Sequence, residues 1–113
     1  MKFVKFKNSK TFKNGSTEST EYPLGDEDMN VAIIEIKGRY PATGLAYNTK
    51  SKEMYYVLSG IGKAVIEEET FLLEEGDVVL IEPNERYYTK GNLKLIVTCT
   101  PKWTIEQHKT IPS

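Results

Sequence analysis

The sequence is poor in the residues on which most metal and redox chemistry depends. Of its 113 residues one is cysteine, Cys99, and one is histidine, His108. A lone cysteine excludes an internal disulfide, and a lone histidine excludes every site built on two or more imidazoles or thiolates. Long apolar runs are missing as well. The longest covers residues 54–58, far short of the roughly 18 residues a membrane-spanning helix needs. Nothing near Met1 has the order of a secretory leader, so a cytoplasmic location is the expectation, with no membrane partner. Charge of one sign is not in excess, since 15 basic residues stand against 16 acidic ones. The last absence is helical: no sustained apolar stripe of period 3.6 runs along the chain.

What is present suffices for one core. Hydrophobic residues make up 39% of the sequence, and a chain of this length hides roughly two-thirds of the surface its unfolded form exposes. We read one domain over 1–113, divided into an N-terminal strand and connecting arm (1–30), a barrel core (31–100) and a C-terminal tail (101–113). Lys2, Lys5, Lys7, Lys10 and Lys13 meet no acid before Glu18, whereas residues 67–85 hold eight acids and no base. The two stretches are thus candidates for mutual attraction. Phe3, Phe6 and Phe12 interleave with the lysines, but an alternating basic strand at a sheet edge explains them better than nucleic-acid binding. Lysines there discourage uncontrolled pairing while a partner subunit is still accepted.

Segments rich in β-branched and aromatic residues recur at 31–36, 54–58, 64–66, 71–73, 78–81, 86–89 and 93–98, each of strand length. Turn signals separate them: Lys37-Gly38, Ser59-Gly60-Ile61-Gly62, Glu74-Glu75-Gly76-Asp77, Glu82-Pro83-Asn84-Glu85 and Lys90-Gly91-Asn92. The pattern predicts an all-β sandwich or barrel with little or no helix. Residues 8–28 read as a surface connection or loosely ordered arm. Thr104-Ile105-Glu106-Gln107 has the form of a capping box that starts a single turn carrying His108. Alternation points Leu93, Leu95, Val97 and Cys99 into the barrel. Glu53 shares a face with Tyr55 and Val57, and Tyr87 with Thr89, but period alone does not say which faces look inward, because Met54, Tyr56 and Leu58 are also apolar.

The stretch from Glu53 through Met-Tyr-Tyr-Val-Leu-Ser to Gly60 resembles the latter half of the first cupin signature. Gly76-Asp77-Val78-Val79-Leu80-Ile81-Glu82-Pro83 resembles the opening of the second. The resemblance implies a double-stranded β-helix, or jelly-roll barrel, with the site at its open mouth and two copies paired as a homodimer. A metal-binding cupin is similar but carries two histidines before the acid and a third after the proline. Those positions fall here near Ala46 and Asn48 and at Tyr87, or at Tyr88 with the register slipped by one, so only Glu53 survives as a ligand type. One carboxylate with an amide and a phenol is a poor site for zinc, iron or nickel. No metal or other cofactor is expected.

The candidate catalytic residues are then Glu53 and Tyr87, and the candidate ligand-binding residues Tyr40, Tyr47, Asn48, Tyr55, Cys99 and Trp103. A carboxyl inside an apolar barrel with no cation beside it keeps its proton to higher pH and suits proton transfer, with Tyr87 donating across the pocket. The plainer reading bonds Glu53 to a tyrosine hydroxyl, filling the space a metal would take and satisfying both groups. Asn48 fits loop stabilisation better than ligand contact, and Cys99 fits an inert small hydrophobe. Trp103 covers the barrel end with His108 solvent-exposed beside it, or else the tail forms a lid, with Trp103 stacking on a sugar and His108 at the rim. Residues 40–44 and Tyr47 read as a rim loop. The leading expectation is a metal-independent cupin binding a small polar, sugar-like molecule. The alternatives are a sugar or keto-acid isomerase or epimerase using Glu53 and Tyr87, and a structural or regulatory dimer with a filled barrel.

Overall fold

A computed structural model describes residues 1–112. Its strands are β1 (Lys10–Asn14), β2 (Thr17–Glu21), β3 (Asn30–Tyr40), β4 (Leu45–Asn48), β5 (Lys52–Ile66), β6 (Glu69–Glu74), β7 (Val78–Ile81), β8 (Tyr87–Thr100) and β9 (His108–Ile111). Helical structure among the described residues is limited to two single 3-10 turns, Phe6–Asn8 and Ile105–Gln107. The all-β expectation therefore holds.

Every pairing is antiparallel. Strands β5 and β8 form the spine, running from Lys52 opposite Thr100 to Ile66 opposite Tyr87. On its other side β8 pairs with β3, and the sheet continues through β2 to the edge strand β1. Strands β7 and β6 pair with successive halves of β5, while β4 links β8 to β9. The sheet curls so that the inner faces of β3, β5 and β8 share one core, which includes Ile36, Val57, Ala64, Leu93, Leu95 and Val97. Each fully buried aliphatic side chain there contributes about 1.5–3 kcal/mol relative to an exposed one.

The inward set on β8 is as alternation predicts, since Leu93, Leu95, Val97 and Cys99 are all buried. On β5 the structure resolves the open question: Glu53, Tyr55 and Val57 are buried, and Met54 and Tyr56 are exposed. A bulge between Val57 and Ser59 inserts one residue into β5. It shifts the parity, so that Ala64 and Ile66 face the core further along the same strand.

Three of the five turn signals prove to lie inside long strands. Lys37-Gly38 belongs to β3, Ser59-Gly60-Ile61-Gly62 to β5 and Lys90-Gly91-Asn92 to β8. Gly38 and Gly62 both pair with Gly91, forming a row across three adjacent strands. At Gly91, where φ is +140°, an added Cβ would lie 2.5 Å from the Gly62 Cα. The glycines here permit close backbone approach across a bending sheet instead of reversing the chain. The other two turns form as expected: the Asp77 amide donates to the Glu74 carbonyl at 3.0 Å and the Glu85 amide to the Glu82 carbonyl at 3.2 Å.

The N-terminal region also departs from its expectation. Residues 1–5 carry no regular structure, and the lysine-bearing edge strand is β1, with Lys10 and Lys13. Within the supposed arm 8–28, β1 and β2 form a hairpin that docks on β3. The lysine run pairs locally: Lys2 meets Asp26 at 2.7 Å and Lys13 meets Glu18 at 3.6 Å, not the acidic stretch 67–85. No helix among the described residues is long and apolar enough to cross a membrane.

Candidate functional site

Strand register brings the acid and its neighbours together. Glu53 and Tyr55 lie two apart on the inner face of β5, and Cys99 stands opposite Glu53 on β8. Tyr87, at the far end of β8, pairs with Ile66 and Ala46, yet the curl of the sheet carries its hydroxyl back to Glu53. Glu53 is 6% exposed. Its Oε1 accepts from the Tyr55 and Tyr87 hydroxyls, each at 3.1 Å, and its Oε2 faces the Cys99 Sγ at 3.4 Å.

Burial without a cation raises the Glu53 pKa above the ordinary carboxylate value, and the hydrogen bonds from Cys99, Tyr87 and Tyr55 pull it back only in part. Burial and the same carboxylate push Tyr55 and Tyr87 well above the usual phenol range, and push the Cys99 thiol up too. The Cys99 thiol beside the acid is thus held in its protonated form. Tyr87 does not donate across an open pocket, because its hydroxyl is bonded directly to Glu53. One buried polar atom in this region, the Thr89 Oγ1, has no hydrogen-bond partner.

A second polar cluster sits at the mouth. Tyr40 ends β3 and His108 begins β9, and the Tyr40 hydroxyl lies 2.6 Å from the His108 Nε2. The other ring nitrogen, Nδ1, lies 2.8 Å from the Asn48 Oδ1. The rings of Tyr40 and His108 stack at 6.1 Å, and Trp103 tilts against His108 at 5.4 Å. Burial lowers the His108 pKa, and burial together with the Glu53 charge lifts the Tyr40 phenol to about 12. The solvent-exposed His108 of the sequence reading is therefore corrected. Register explains why: β9 pairs with β4, which sets His108 opposite Asn48, a pairing with no local sequence signal.

Between the two clusters lies a cavity of about 150 Å³. Tyr40, Glu53, Tyr55, Tyr87, Cys99 and Trp103, all candidates from the sequence, line it. Asn48 is buried behind the wall and holds His108. Tyr47 is not part of the wall: Ala46 and Asn48 take the inward positions of β4, so Tyr47 points outward, where the Arg86 guanidinium lies 5.0 Å over its ring. Sequence reasoning missed Thr17, Ser19 and Glu21 of β2, and also Asn30, as lining residues, whereas His108 lines the cavity as the rim alternative has it. Their polar alternation carries no apolar signature by which a buried face would be noticed. The 3-10 turn before His108 forms, but Thr104 makes no side-chain cap. The Gln107 Oε1 instead accepts the Lys50 and Ser51 backbone amides at 2.9 and 3.0 Å.

The cupin domain family matches residues 33–100. The chain belongs to the cupin family. Among solved structures, that of Pac13, described as a nucleoside dehydratase, superposes with a TM-score of 0.89 at 20% identity, over 97% of this chain and 90% of that one. A Streptomyces Pac13 His-to-Gln variant with uridine gives 0.88 at 20% identity, over 96% and 89%. KdgF from Halomonas sp. gives 0.70 at 12% identity, over 89% and 94%. Among curated protein sequences none matches. These likenesses carry the fold, a cupin jelly roll.

Many cupins hold a metal at this place, and the donors present here do not suit one. Ala46 offers no ligand atom, the Asn48 Oδ1 is occupied by His108, and the Tyr87 hydroxyl is spent on Glu53. Among the described residues no three His, Cys, Asp or Glu side chains converge.

Proposed function

We propose that this cupin binds a small, uncharged, sugar-like molecule, of free-sugar or nucleoside type, with one ring in the cavity and the remainder toward Trp103. The observation that carries the reading is the composition of the wall: two carboxyls, Glu21 and Glu53, several hydroxyls, a broad apolar surface and no lysine or arginine among the described residues. An anion entering it would sit beside a buried acid with no counter-charge, which costs several kcal/mol. A keto acid is disfavoured on the same ground. A volume near 150 Å³ is the size of an engineered cavity that admits benzene, so one ring fits, and an open cavity speaks against a filled, purely structural barrel. The uridine bound to the Pac13 variant belongs to the same ligand class.

A second reading, proton transfer on that ligand, is supported by Glu53, whose raised pKa favours the protonated acid. In this reading Tyr87 holds Glu53 in place and is not the opposing group. Homodimerisation also belongs to the proposal. Met54, Tyr56, Val78 and Leu80 are exposed together on the outer face of β5 and β7, where Met54 pairs with Leu80 and Tyr56 with Val78. An apolar sheet face of this kind suits a second copy. Nucleic acid and membrane have no place in this reading.

The test is a thermal-shift series with uridine, free pentoses and their 5'-phosphates. At a hundredfold excess over Kd a ligand adds about 2.7 kcal/mol, a rise in Tm of about 10 °C for a domain of this size. At least one uncharged compound is expected to produce it, and its phosphate to fail. Shifts from the phosphates alone, or from none of the compounds, would overturn the proposal.

A further inference from the structure

The hydrogen-bond chain at the mouth has its proton positions fixed from the backbone outward. Two amides, of Lys50 and Ser51, donate to one oxygen, the Gln107 Oε1. That orients the Gln107 amide so that its Nε2 faces the Asn48 Oδ1, at 3.4 Å. The Asn48 oxygen is therefore an acceptor, and the His108 Nδ1 at 2.8 Å must be the donor. A neutral imidazole protonated on Nδ1 leaves a lone pair on Nε2, which receives the Tyr40 hydroxyl at 2.6 Å. Nothing in this chain is free to turn over without losing a buried hydrogen bond. Asn48 is buried, Gln107 is buried, and the Tyr40 and His108 side chains open into the same cavity as Glu53.

We propose that Tyr40 and His108, oriented by Asn48 and Gln107, form the second proton-transfer group of the cavity, working against Glu53 on an enolisable, uncharged hydroxy-carbonyl compound. A proton on the carbon beside the carbonyl passes to the Tyr40 hydroxyl oxygen as the Tyr40 proton passes to the His108 Nε2. The C–H electron pair becomes the C=C bond of an enol, and the carbonyl oxygen takes the Glu53 proton. Because the Glu53 Oε1 already accepts two tyrosine hydroxyls, Oε2 is the oxygen that carries this proton. His108 becomes an imidazolium with its Nδ1–H still on Asn48. In the second half Tyr40 returns its proton to the former carbonyl carbon and is reprotonated from the His108 Nε2, while the adjacent hydroxyl gives its proton to the Glu53 carboxylate and becomes the new carbonyl. The isomer forms, all three groups are restored, and no oxidant or reductant is consumed. Asn48 and Gln107 are positioning residues; Tyr40 and Glu53 meet the substrate, and His108 acts through Tyr40 by taking its proton.

The inference deepens the second reading above and rests on the cavity being a ligand site. It has two tests. The single histidine makes its ring nitrogens unambiguous by nitrogen-15 NMR. The unsubstituted protein at neutral pH is expected to show a neutral ring with the proton on Nδ1, and Asn48→Leu to lose that preference. A ring protonated on Nε2, or charged, overturns the relay. The second test follows deuterium entry from D2O into dihydroxyacetone. The protein is expected to accelerate exchange about a hundredfold, and Tyr40→Phe and His108→Gln, with melts showing them folded, to abolish the acceleration. Conservative Tyr40→Phe keeps the ring packing, so its loss of exchange separates chemistry from structure. A thermal shift with dihydroxyacetone but no exchange overturns this inference and leaves the binding proposal standing. Failure of dihydroxyacetone, uridine and the free pentoses alike to bind at millimolar concentration removes both.

Discussion

Replacing Glu53 by glutamine isolates the consequence of burying a carboxyl with no cation beside it. In the unfolded chain this group titrates near 4.5, and in the folded protein burial raises that value. Between the two pKa values the folded state holds a proton that the unfolded state has released. Stability must therefore fall as pH rises, by as much as about 1.4 kcal/mol per pH unit. Below the unfolded value both states are protonated and the penalty vanishes. Glutamine is neutral throughout, and its carbonyl oxygen can accept the same two tyrosine hydroxyls. The Glu53→Gln variant should thus match its parent in acid and become progressively more stable toward neutral pH, the gap levelling off once the folded carboxyl has ionised. The assay is urea unfolding, monitored by Trp103 fluorescence, at steps from about pH 4 to pH 8. His108 contributes a slope of opposite sign: its folded pKa is depressed below 6.5, so its contribution is lost as pH falls through that window. It is common to parent and variant and cancels in the difference. A difference that stays flat from pH 4.5 upward would refute the reasoning.

Other substitutions test the remaining architecture. Gly91→Ala should cost about 3 kcal/mol or more, because its Cβ meets the Gly62 Cα and the Ile61 carbonyl oxygen, each at 2.5 Å; chemical denaturation checks it. Thr89→Val should stabilise by about 1 kcal/mol, since the buried Thr89 hydroxyl has no partner. A loss of stability would mean that the hydroxyl is satisfied in solution. Lysine at both Met54 and Tyr56 should give a folded monomer by sedimentation, where the parent is expected to sediment as a dimer.

The sequence carried the family and the core through short-range signals. Alternation from Leu93 to Cys99 fixes an inward face because side chains in a strand have a period of two. The acid at position 53 and the turn at Gly76 carry the cupin resemblance without reference to any contact. Glycine was less legible. In Glu74-Glu75-Gly76-Asp77 it marks a true reversal, while in Lys90-Gly91-Asn92 the same residue type lets two strands cross closely. Only the partner strand distinguishes the two cases.

From the sequence alone the chain reads as all-β, with the single acid Glu53 and no imidazoles at the positions where a metal-binding relative carries its ligands; that Glu53 faces inward came from the fold. Composition and period-two alternation are local properties and need no fold to be read. Strand register and sheet curl were needed to show that Tyr55 and Tyr87 both bond Glu53, that polar β2 walls the cavity, and that His108 lies between Tyr40 and Asn48. Each of those placements depends on strand register and sheet curl, and none is encoded in any short stretch of the chain.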